Sequence, residues 1–263
     1  MKRNLTLFFI ALFSIAYSQT QKISAIKINQ ITIDTDQFLG YNQFGWRYSL
    51  KNNIFSITKD KISLEYKNIA LGEISHVDIN NPLKIVVFYE NFNTIILLDN
   101  QLNELKKINL FENEIPIVAT AVSLASQNRL WIYNNLTQQI GFFDYLKNTF
   151  KSITPPFEGN IKHYESDFNT FQWIDDNLNW YSCDIFGKII SNGKIPDFDF
   201  IKVLSNHALL FSKESLFYFY DVDKNKIYLI ENVEKSLNNF YYKDQILSIF
   251  TNQEISNYKI KIP

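Results

Sequence analysis

Lys84–Leu110, KIVVFYENFNTIILLDNQLNELKKINL, divides into three strand-like runs separated by two polar turns. The runs are Lys84–Tyr89, Thr94–Leu98 and Glu104–Leu110; the turns are Glu90-Asn91-Phe92-Asn93 and Asp99-Asn100-Gln101-Leu102-Asn103. Short runs rich in β-branched and aromatic residues, bounded by Asn and Asp, predict three antiparallel strands. The first two are almost wholly apolar, as strands covered on both faces must be. Lys106, Lys107 and Asn109 dilute the third, so one of its faces is expected to be wet.

The same plan recurs along the chain. Trp46–Leu50, Ile54–Ile57 and Ile62–Tyr66 precede the unit, and Leu130–Tyr133, Gln138–Phe143 and Thr149–Ile153 follow it. Further copies are Phe171–Ile174, Leu178–Cys183 and Lys188–Ser191, then Leu209–Phe211, Leu216–Tyr220 and Ile227–Ile230. A last copy, Ile246–Phe250 and Glu254–Ile262, is cut short. Asp60, Asp99, Asp144, Asp184 and Asp221 each stand at the turn after the second run, at steps of about 40 residues, the period of propeller blades. Asp there accepts hydrogen bonds from backbone N–H groups just ahead, and Asn tolerates the left-handed conformation. With seven glycines in the whole chain, Asn is expected to fill the left-handed turn positions. Less apolar segments before each copy supply an innermost strand: Phe38–Gln43, Ile74–Ile79, Ile117–Ser123, Ile161–Glu165, Phe200–Leu204 and Asn239–Lys243. The last blade then lacks an outer strand, while Lys22–Ile33 (KISAIKINQITI) is a strand without a blade. Pairing the two closes the ring and removes the exposed edges. The expected fold is therefore all-β, a six-bladed β-propeller closed by an N-terminal strand on the last blade.

The front of the chain reads as an export signal. Lys2 and Arg3 precede the apolar run Leu5–Ile15, and Ala16-Tyr17-Ser18 suits cleavage before Gln19. The run is short of the roughly 20 residues a spanning helix needs, so no transmembrane segment is expected after processing. Residues 1–18 are thus assigned as signal peptide and 19–263 as a single domain. The lone Cys183 cannot form an intrachain disulfide, so the domain must stand on its core. A formal charge of −1, with arginine only at positions 3, 47 and 129, argues against nucleic acid.

Taken together, the export signal and the repeats resemble those of degenerate exported bacterial β-propeller repeat proteins. The resemblance spans the mature chain and specifies no activity. The Ser-x-Asp-x-Gly-x-Thr-Trp boxes of sialidases and the Gly-His…Trp-Asp pattern of WD repeats are absent from the sequence, as are a glycine-rich phosphate loop, HExxH and CxxC. No catalytic set and no cofactor are predicted. The candidate binding residues sit on inner strands and an adjoining loop. His76 has Asp78 two residues on, and His163 has Glu165; side chains two apart on a strand share a face. The loop Tyr41–Trp46 combines aromatic and amide groups, with Tyr41 and Trp46 its candidate contacts. The expectation is a non-enzymatic protein-binding or scaffold module of the cell envelope, monomeric on its own, in the periplasm or on the outer envelope. The alternative is a carbohydrate- or metal-binding domain, or a hydrolase-like enzyme, with its site at the channel mouth.

Overall fold

The computed structural model describes residues 21–112 and 116–263, and in it six blades, each with four antiparallel strands and one of them extended by a fifth, form a propeller. The assigned signal peptide lies outside the described residues. The first blade comprises Gln37–Tyr41, Arg47–Lys51, Ile54–Lys59 and Ile62–Tyr66; the second, His76–Asp78, Ile85–Tyr89, Thr94–Leu98 and Glu104–Asn109. The third holds Ala119–Leu124, Arg129–Asn134, Gln139–Asp144 and Thr149–Ser152; the fourth, Ile161–Ser166, Thr170–Asp175, Asn179–Asp184 and Ile189–Lys194. Phe200–Ser205, Ala208–Lys213, Leu216–Asp221 and Lys226–Glu231 make the fifth. In the sixth, Asn239–Lys243, Ile246–Phe250 and Glu254–Lys259 are completed by the N-terminal strand Ile26–Thr32. Helix among the described residues is limited to three single 3-10 turns, Ile69–Leu71, Glu90–Phe92 and Leu110–Glu112. No helix among them is long and apolar enough to cross a membrane.

The closing segment differs from the single strand expected. It breaks at Ala25 into two strands on two blades. Gln21–Ser24 runs parallel to Lys226–Glu231 as a fifth strand of the fifth blade, with Ile23 opposite Ile230. Ile26–Thr32 runs antiparallel to Glu254–Lys259, with a bulge between Lys27 and Asn29. The break permits the change of partner: Ala25 N–H still bonds the Glu231 carbonyl at 3.1 Å, after which the chain crosses to the next blade. One segment thus covers two outer edges that would otherwise be left to other chains.

The turn chemistry follows the expected division of labour. Asp99 Oδ1 accepts from the N–H groups of Gln101 and Asn103 at 2.8 and 2.9 Å, and Asp184 Oδ1 from those of Phe186 and Lys188 at 2.8 and 3.1 Å. Asp144 and Asp221 do the same for Leu146 and Lys147 and for Lys224. Asp60 departs from the pattern: it is itself left-handed, at φ +52°, in the tight turn between Ile54–Lys59 and Ile62–Tyr66. Asn52, Asn53, Asn93, Asn128, Asn148, Asn225 and Asn232 take positive φ, so asparagine does carry much of the turn work.

The core lies between blades. Phe88, Ile95, Leu97, Ile108, Leu124, Leu130, Ile132 and Phe143 fill the seam of the second and third, all nearly or fully buried. Trp131, Trp173 and Trp180 are inter-blade core. Cys183 is buried in the seam of the third and fourth blades, and burial, helped by Asp184, pushes its thiol up to about 12. The seam between the sixth and first blades is thinner. Its buried apolar cluster is Ile33, Phe38, Phe250 and Ile255, with Ile31, Tyr41 and Tyr241 packed at its margin. There an aromatic ring lies against the backbone: Gly40 sits at φ +136°, and a Cβ on it would stand 2.5 Å from the Tyr241 ring.

Candidate functional site

Four of the predicted binding residues meet in the central channel. His163 and Glu165 share a face of Ile161–Ser166, with Nε2 3.2 Å from Oε1. Glu165 also accepts from Val203 N–H at 2.8 Å and pairs with the Lys202 ammonium of the fifth blade. Burial pushes the Glu165 carboxyl up, but Lys202 and His163 outweigh it and hold it at about 2. From the second blade, the His76 ring packs on Tyr164 with centroids 5.0 Å apart. Burial, and then repulsion from His163, lower His76 to about 4, so it is neutral at pH 7.

Asp78 does not serve His76 as the two-residue spacing suggests. Its carboxylate accepts from the backbone N–H groups of Asn80 and Leu124 at 2.8 and 2.7 Å, tying the second blade to the third. Burial still leaves its pKa raised. Tyr164 reaches the third blade through Val122, and Asn80 Nδ2 donates to the Ser166 carbonyl at 2.9 Å. These side chains link the inner strands of the second, third, fourth and fifth blades. Among the described residues, no three His, Cys, Asp or Glu side chains converge in a way that could hold a metal ion.

Below this belt, at the end where the inner strands turn back, the channel opens into a cleft of about 490 Å³. Tyr41, Asn42 and Gln43 of the first blade, Ile79–Pro82 of the second, Phe168 of the fourth, Lys202 of the fifth and Tyr241–Lys243 of the sixth line it. Phe168 is 42% exposed, and Lys243 is exposed at the rim. Tyr41 therefore lies at the mouth, where its carbonyl accepts from the Tyr241 hydroxyl at 3.0 Å. Trp46 does not. Its loop folds on Asn42, whose Oδ1 accepts from the N–H groups of Phe44 and Trp46 at 2.9 and 3.0 Å, and the indole packs half-buried on the core shared by the first and second blades.

Sequence reasoning passed over Lys202, Tyr164, Phe168, Tyr241 and Tyr242. Lys202 carried a signal: it is the one charge in the inner strand Phe200–Ser205, FIKVLS. Tyr241-Tyr242 likewise ends an inner strand at the face where Tyr41 ends its own.

No protein-family model matches this sequence, and no curated protein resembles it in sequence. Solved structures do resemble it in fold. Virginiamycin B lyase from Staphylococcus aureus superposes with a TM-score of 0.59 at 13% identity, over 91% of this chain and 95% of its own. A DUF4221 family member from Bacteroides vulgatus gives 0.60 at 8%, over 93% and 99%. BBS1N, solved in complex with ARL6DN, gives 0.57 at 10%, over 87% and 79%. At these identities the likeness establishes the propeller and nothing about activity.

Proposed function

We propose that this chain is a non-enzymatic, exported propeller that serves as a protein-binding or scaffold module of the bacterial cell envelope. The mouth cleft receives a segment of the partner. The observation that carries this reading is the contrast between belt and mouth. In the belt, Glu165 and Asp78 are spent on Lys202, His163 and backbone N–H groups that hold blades together. At the mouth, Tyr41, Phe168, Tyr241 and Tyr242 stand among amides and lysines, the mixture that anchors protein interfaces. A propeller solved with a protein bound, BBS1N with ARL6DN, is compatible with that use of the fold. The reading also assigns residues 1–18 to a cleaved signal and 19–263 to a monomeric mature domain in the periplasm or on the outer envelope.

Cross-linking and affinity purification from the native envelope test the proposal. One dominant protein should be recovered with the wild type and lost with the combined variant Phe168→Ala, Lys243→Glu. Recovery unchanged by that variant would remove the cleft from the account. N-terminal sequencing of the exported protein should begin at Gln19.

A carbohydrate reading has its own observation: aromatic rings of Tyr41, Tyr241 and Phe168 beside the amides of Asn42, Asn80 and Asn81. Binding of a glycan panel, abolished by Tyr242→Ala or Phe168→Ala with no protein partner captured, would favour it over the scaffold.

A further inference from the structure

The first blade carries a polar grid on the face it turns to the sixth. Arg47, Thr58 and Ser63 lie opposite one another across three strands, and Ser49, Ser56 and Glu65 do so alongside. The reverse face of the same strands is apolar, with Tyr48, Phe55, Ile57 and Leu64 packed in the seam with the second blade. A sheet covered on both sides ordinarily shows two apolar faces, so this one calls for polar partners.

Some of its neighbours find them within the chain. Lys51 pairs with Asp34, and the Thr35 hydroxyl donates to the Leu50 carbonyl at 2.6 Å. Arg47 does not. Its buried Nε has no hydrogen-bond partner among the described residues. The guanidinium lines a cavity of about 210 Å³, with Ser49 buried beside it and Ser63 and Glu65 exposed at the rim. None of the grid residues lines the mouth cleft.

An unpaired guanidinium presents a planar fork of donors that matches a carboxylate. Serine and threonine hydroxyls donate or accept as required, which suits a ligand bearing hydroxyls of its own; Glu65 can accept from one of them. The cavity is smaller than the roughly 300–1,000 Å³ of drug-sized sites, so the ligand is a single small unit. We propose that this cavity, between the polar face of the first blade and the segment Ile33–Thr35, binds a small hydroxylated carboxylate of the sugar-acid class. Its carboxylate would sit on Arg47, and its hydroxyls on Ser49, Ser56, Thr58 and Glu65.

Titration calorimetry of the full exported chain with glucuronate, glucose, acetate and inorganic phosphate tests this. Glucuronate should bind at least tenfold more tightly than glucose, acetate or phosphate. Arg47→Gln should weaken glucuronate at least tenfold, and Ser56→Ala should weaken it several-fold, both with unchanged melting temperature. Should Arg47→Gln fail to fold, Arg47→Lys keeps the charge without the fork and should still lose tenfold. Absence of glucuronate binding to the wild type would overturn the proposal, as would equal binding by the folded Arg47 variant. Acetate or phosphate matching glucuronate would overturn the hydroxylated part and leave a plain anion site.

Discussion

The seam between the second and third blades and the seam between the sixth and first are built from the same kind of strands in opposite ways. In the former, Val86, Phe88, Ile95, Leu97 and Ile132 are at or below 1% exposure, and both faces of Ile85–Tyr89 are dry. In the latter, a small cluster around Phe38 and Phe250 is flanked by hydroxyls and a guanidinium. The first seam can hold itself by burial alone. The second leans on backbone pairing from the N-terminal segment, which is where a ring assembled from a linear chain must be closed.

The largest effect should therefore come from removing the closure. Deleting residues 21–32 withdraws the strands on Glu254–Lys259 and Lys226–Glu231 and leaves two outer edges unpaired. The expected outcome is an aggregated product with no cooperative melt by circular dichroism. A soluble, monomeric deletion with the wild-type melting temperature would show that the thin seam needs no help.

Next is the dense seam itself. Phe88 is 1% exposed, and Phe88→Ala should cost about 3–5 kcal/mol in urea unfolding, from lost transfer energy and the cavity left behind. A cost under about 1 kcal/mol would mean that the second and third blades can slide together, which their packing gives no reason to expect.

How much of this was legible in the sequence follows the same divide. The dense seam was readable because burial on both faces leaves an apolar run, and Ile85–Tyr89 and Thr94–Leu98 lie within or on the runs quoted above. Closure was readable from a missing strand at one end and a spare one at the other. Its split at Ala25 was not, because the only trace is a shift of phase, Ile23 and Ala25 giving way to Ile26 and Ile28 and then to Ile31 and Ile33, which a bulge within one strand would produce as well. In the channel, the His163–Glu165 pair followed from period 2 on one strand, whereas Lys202 and His76 arrive from other blades, and no local spacing encodes their approach. The polar grid did leave a trace. Arg47 and Ser49 alternate with Tyr48 and Leu50, and Ser56 and Thr58 with Phe55 and Ile57, in strands whose two faces should both have been dry.

The channel belt predicts a smaller, pH-dependent effect. Glu165 is held at about 2 against an ordinary 4.5, so its stabilisation is present above 4.5 and is lost as pH falls from there toward 2, by roughly 2–3 kcal/mol. His76 is lowered from 6.5 to about 4, so the unfolded chain takes its proton first, and stability also falls between those values. Asp78, raised by burial, acts in the opposite sense near the ordinary carboxylate range. Urea midpoints across pH 3–7 should separate these windows: Glu165→Gln should flatten the lower one, and His76→Gln the upper. Parallel pH curves for wild type and both variants would mean that neither group is as enclosed as its contacts indicate.

The finest test exchanges one hydroxyl for one methyl in each seam. Thr58 lies half-buried on the grid with its hydroxyl 3.4 Å from that of Ser63, next to a cavity that water can enter. Thr58→Val removes no buried hydrogen bond that lacks a substitute and should move the unfolding free energy by no more than about 0.5 kcal/mol. The reverse exchange in the dense seam, Val86→Thr, places a hydroxyl at a site with 0% exposure and should cost roughly 1–3 kcal/mol. The two substitutions are opposite in chemistry and nearly equal in volume, so the asymmetry isolates the polarity of each seam from its packing. Equal and opposite effects would place the same apolar environment in both seams. The Arg47 guanidinium would then stand in that environment without a partner, a cost too large for a seam already short of burial to carry.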